Sequence, residues 1–67
     1  MNLPPMRIGV RIKLARVKRG VTQAELAHLT ELSQAYLSQI ETGDRTPGTE
    51  TVESIERALQ CDLEGDW

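Results

Sequence analysis

The chain has 67 residues, 39% of them hydrophobic, with 8 basic and 10 acidic side chains and a formal net charge of −2. A chain this short buries only about 60% of its unfolded surface, so residues 1–67 are expected to form one small domain with a thin core. Cys61 has no second cysteine to pair with, and His28 and Cys61 alone cannot supply the ligand count of a metal site.

No apolar run approaches the ~20 residues of a membrane span. Residues 1–5 are too short for a signal peptide and lack its basic start, so a cytoplasmic location is expected. The small net charge hides a segregation. Residues 1–20 hold Arg7, Arg11, Lys13, Arg16, Lys18 and Arg19 and no acid. All ten acids lie beyond residue 20, against only Arg45 and Arg57. Such a division suggests an oriented field rather than a neutral surface.

Helix signals are dense and strand signals absent. Pro4 and Pro5 precede a first helix and Gly20 stops it. This helix carries two apolar stripes. Ile8, Ile12 and Ala15 share one side. Val10, Leu14 and Val17 share the other, either as a partner surface or as a seat for the Met1–Pro5 tail. Thr22-Gln23-Ala24-Glu25 reads as a capping box, with Val21 and Leu26 as a hydrophobic staple. Eleven residues on, Ser33 caps a third helix, flanked by Leu32 and Leu37 in the same relation. Two helix starts so close leave room for two turns of helix and a tight turn, a helix-turn-helix at about 22–42. The third helix should close at Gly43, and Pro47 delays the next. A fourth, roughly Thr49–Leu59, puts Val52, Ile55 and Leu59 on one face. With a last short turn between Cys61 and Trp67, the expected fold is all-α, five short helices around one core.

The third helix poses the functional question. With Gln34 at zero and ~100° per residue, Ser38, Thr42, Ala35 and Gln39 follow at about 40, 80, 100 and 140°. Leu37, Ile40 and Tyr36 occupy the opposite arc. One arc faces a core, and the other carries hydrogen-bonding side chains without charge. Gln pairs bidentately with an adenine edge, Ser serves several bases, and the methyl groups of Ala and Thr suit the thymine methyl. Short polar arms are what direct base readout needs, although Gln and Ser are also common on solvated helix faces.

From "IGVRIKLARVKRGVTQAELA" through "LSQAYLSQIETGDRTP" to "VESIERAL", the chain resembles the XRE/Cro-like helix-turn-helix proteins, which include phage-type repressors. The resemblance implies a lambda-repressor-like DNA-binding domain. It places Gln34, Ala35, Ser38 and Gln39 at base-contact positions. Gln23, Tyr36, Thr42 and Arg45 fall at backbone-contact positions, with Gln23 where a helix N-terminus meets phosphate. It pairs Arg16 with Glu41 as a structural link, and puts Ala27 where the two motif helices cross. Two departures stand out. Glu31 occupies a turn position that usually holds Gly, and Glu56 one that usually holds a small residue.

No catalytic set is present, so an enzyme is not expected, nor are cofactors, metals or a small-molecule ligand. The expected function is a transcriptional regulator, a repressor, that binds double-stranded DNA as a homodimer. Leu59, Leu63 and Trp67 are the expected dimer contacts. The alternative is an antitoxin or adaptor-type interaction module, docking a protein through an acidic face or the Val10, Leu14, Val17 stripe.

Overall fold

The structure is a computed structural model and describes residues 7–63. Four helices follow one another: α1 (Ile8–Lys18), α2 (Gln23–Thr30), α3 (Gln34–Thr42) and α4 (Thr49–Leu59). The two capped starts form as their sequences direct. The Glu25 amide donates to the Thr22 hydroxyl at 3.0 Å, and the Glu25 carboxylate accepts from the Thr22 amide at 2.9 Å. These bonds hold the Glu25 carboxyl below its ordinary value. The Tyr36 amide donates to the Ser33 hydroxyl at 3.0 Å.

All four helices end in one way. A left-handed residue closes the last turn, and the next amide reaches back five residues to a carbonyl. Val21 bonds to Arg16, Leu32 to Ala27, Asp44 to Gln39 and Cys61 to Glu56, at 2.8–3.1 Å. This chain reversal satisfies carbonyls that the helix leaves open. Gly20 and Gly43 take the left-handed position after α1 and α3, whereas Glu31 (φ 60°) and Gln60 (φ 55°) take it after α2 and α4. The turn at Glu31 therefore keeps the geometry usual for Gly, at a strain of roughly 1 kcal/mol.

The expectation of five helices is corrected to four among the described residues. Gln60 turns the chain out of α4. Beyond it, side chains rather than a further helical turn satisfy the backbone of Leu63. Its amide donates to Glu56 Oε2 at 2.9 Å, and its carbonyl accepts from Arg11 Nη1 at 3.0 Å. The carboxylate that stands where a small residue is usual thus serves as an acceptor for the chain end.

Ile12, Leu26, Leu37, Ile40, Ile55 and Leu63 are fully buried, with Ala15, Ala27 and Leu59 beside them. Each large side chain so buried stabilises the fold by about 1.5–3 kcal/mol relative to exposure. Leu59 and Leu63, expected at a dimer contact, lie in the chain's own core, 3% and 0% exposed. Trp67 lies outside the described residues.

Gly9 fixes how α1 crosses α3. A Cβ there would overlap the Ile40 carbonyl oxygen. The backbones of α1 and the end of α3 approach this closely only because position 9 has no side chain.

Candidate nucleic-acid interface

Leu37, Ile40 and Glu41 form the buried side of α3. Gln34, Ala35, Gln39 and Thr42 are exposed, and Ser38 is half-buried. An uncharged polar arc thus lies on the outer side of α3, with no charged residue among its members. Tyr36 is half-buried and packs against the core.

The buried side holds one charge pair. Arg16 Nε donates to Glu41 Oε2 at 2.8 Å and Arg16 Nη2 to Glu41 Oε1 at 3.0 Å. The two side chains are 11% and 4% exposed, deep enough that either charge alone would be poorly hydrated. A third bond from Arg16, to the Val21 carbonyl at 2.9 Å, ties the same guanidinium to the loop before α2. The Glu41 hydrogen bond raises the Arg16 pKa above its ordinary value, against the opposing effect of burial. The pair fastens α3 to α1 at the end opposite Gln34.

The amides on the outer arc are held by neighbours. Gln23, at the start of α2, donates Nε2 to Glu41 Oε1 at 3.2 Å and accepts from Gln34 Nε2 at 3.4 Å. Gln39 Oε1 accepts from Arg45 Nε at 2.9 Å. The Thr42 hydroxyl donates to the Gln39 carbonyl at 3.1 Å and lies 3.2 Å from Asp44 Oδ2. Gln23, Gln34 and Gln39 therefore enter one polar surface, and Arg45 and Thr42 border its far end.

The basic cluster of α1 is partly turned inward. Arg16 serves Glu41, Arg11 the Leu63 carbonyl, and Arg19 Nη1 the Ala15 carbonyl at 3.1 Å. Lys13 and Lys18 remain exposed. On the opposite side of α1 from the core, Val10, Leu14 and Val17 are 40, 46 and 58% exposed. His28 is exposed. Among the described residues, no cluster of His, Cys, Asp or Glu is arranged to hold a metal, and no helix is long and apolar enough to cross a membrane.

Sequence reasoning misses two groups. Gly9 carries a signal, because a glycine inside a helix costs ~1 kcal/mol and usually has a packing reason. The bond from Gln23 to Glu41 carries none. These residues are 18 apart in the chain and meet only through the crossing of α2 and α3.

Exposed polar α3 set against capped α2 defines a helix-turn-helix protein, and residues 12–65 match the helix-turn-helix family HTH_3. The chain belongs to that family. It is 41% identical over 54 residues to the immunity repressor protein of Bacillus phage phi105, covering 81% of this chain and 38% of the repressor. The chain spans less than two thirds of the length of the curated relatives it matches, 38% and 63%. Its fold superposes on the DNA-binding domain of the P22 c2 repressor with a TM-score of 0.86 and 29% identity, covering 92% of this chain and 82% of that one. The master regulator for biofilm formation SinR, solved in complex with DNA, gives a TM-score of 0.78 and 33% identity over 84% of this chain and 90% of that one.

Proposed function

We propose that residues 1–67 act as one sequence-specific DNA-binding domain of a transcriptional repressor that works in the cytoplasm and is not an enzyme. In this reading α3 enters the major groove. Gln34, Ala35, Ser38 and Gln39 meet base edges, while Gln23, Tyr36, Thr42 and Arg45 meet the backbone. The observation that carries it is the uncharged outer arc of α3, held on its other side by the Arg16–Glu41 pair to α1 and by the Gln23–Glu41 bond to α2. The likeness to a phage immunity repressor and to a P22 DNA-binding domain supports it. One helix reads only a few base pairs, so the reading includes a homodimer on half-sites about one turn, ~34 Å, apart.

Selection of bound duplexes from a random pool tests the proposal. A two-fold symmetric site is the expected result, and a pool without enrichment sinks it. The exposed stripe Val10, Leu14 and Val17 supports a second reading, an interaction module that docks a protein through α1. Only the first reading expects a preferred DNA sequence.

A further inference from the structure

The buried charge pair and the outer arc of α3 are joined by one side chain. Glu41 Oε1 takes a hydrogen bond from Arg16 and another from Gln23, whose own oxygen takes one from Gln34. A carboxylate only accepts hydrogen bonds, whereas a carboxamide has a donor end and an acceptor end. Facing Glu41, the Gln23 amide can be oriented in one way only, with its NH2 inward. Turned over, its oxygen would lie against the carboxylate. Its carbonyl therefore points along the relay to Gln34, and it can receive only the NH2 of that residue.

We infer that Glu41, acting through Gln23, sets the direction in which the Gln34 amide is presented, and so which base Gln34 prefers. This rests on the DNA-reading function proposed above. With one N–H committed to Gln23, Gln34 keeps one N–H and its oxygen, side by side in a known order. That pair matches an adenine edge, whose N7 accepts and whose N6 amine donates. Without the carboxylate, both amides turn freely. Gln34 then offers either order to the groove and discriminates less. Glu41 is thus a positioning residue, which never touches DNA and acts on specificity through a buried contact.

Nothing comparable holds Gln39. Its oxygen is bonded to Arg45, which is itself exposed and free to leave for a phosphate. The effect of Glu41 is accordingly confined to the base pair under Gln34.

The experiment begins with selection on the wild-type chain, which yields the preferred site and the base pair whose substitution depends on Gln34. If no site is enriched, the DNA-reading function itself fails. Given a site, Glu41→Gln is nearly isosteric but offers Gln23 both a donor and an acceptor. Its discrimination at that one base pair should fall roughly tenfold, the loss of about 1.4 kcal/mol, while discrimination at the other positions stays. Equal weakening on every sequence would instead mark a merely structural residue and overturn the inference. Should Glu41→Gln fail to fold, Gln23→Leu keeps the Arg16–Glu41 pair and removes only the relay. It should lose preference at the same base pair, on top of any uniform loss from a phosphate contact. Full retention of that preference in either folded variant overturns the inference. The double variant, where it folds, should discriminate no worse than Gln23→Leu alone, and additive losses would likewise count against it.

Discussion

The two faces of α3 use polar chemistry for opposite ends. On the inner face the charged groups of Arg16 and Glu41 are brought together and largely withdrawn from water. On the outer face uncharged amides stay in water, Gln34 tethered by one bond to Gln23 and Gln39 by one to Arg45, each with further hydrogen-bonding capacity open. Inner polar groups tie helices together and tolerate no missing partner. Outer ones are oriented by a neighbour and keep bonding capacity for a ligand. Substitutions should therefore separate, inner ones acting first on stability and outer ones on binding, with Glu41 the inner residue that also acts on base preference.

The largest effects belong to the inner face. Arg16→Ala or Glu41→Ala leaves a mostly buried charge unpaired and should cost about 3–5 kcal/mol. Thermal melts of both single variants and the double check this. The double should lose much less than the two singles together, because it leaves neither charge stranded. Independent losses would show that the pair does not act as a unit. Gly9→Ala attacks the same face through the backbone, since its new methyl group meets the Ile40 carbonyl. It should lower the melting temperature strongly despite the better helix propensity of Ala.

The outer face should answer differently. Gln34→Ala and Gln39→Ala should each weaken binding to the selected site by about 1–3 kcal/mol and leave melting unchanged. A titration with the selected and a scrambled duplex separates lost readout from lost folding. A melting shift as large as that of Glu41→Ala would erase the distinction between the faces.

Smaller effects sharpen the comparison at the start of α3. Ser33→Ala removes the cap that anchors the first turn and should destabilise by about 1 kcal/mol. Glu31→Gly relieves the left-handed strain before that turn. It should stabilise by at most ~1 kcal/mol, because the added freedom of the unfolded chain offsets part of the gain. Last comes Glu25. Its carboxyl is depressed when folded, so its contribution is present above the ordinary value of 4.5 and is lost as pH falls through the folded value. Stability measured from about pH 6 downward should show this dependence, and Glu25→Gln should flatten it.

The helix starts are legible because capping is a local grammar. Thr22 with Glu25, and Ser33 with its flanking leucines, state their geometry within a few residues. The reading arc is legible because it needs only the helical period and the absence of charge. The Arg16–Glu41 contact comes through the family resemblance, since no local pattern links residues that far apart. The fifth helix is a misreading, because two spaced apolar residues such as Cys61 and Leu63 beyond a helix look the same whether the chain coils or packs. What distinguishes the two is the bonding of the Leu63 peptide to Glu56 and Arg11, which depends on how α1 and α4 lie together. The same packing removes Leu59 and Leu63 from the surface. Gly9 escapes notice because its reason lies in a backbone 31 positions away.

The common ending of the four helices bears on how fast the chain finds its fold. Each reversal closes within six residues and needs no distant strand to pair with. Each helix is only 8–11 residues long, and α1 and α2 both pack on α3 and α4. Little loop entropy is lost in forming each helix and its reversal, and helical proteins rich in such local contacts fold in roughly microseconds to milliseconds. A domain of this design is expected to refold on that timescale.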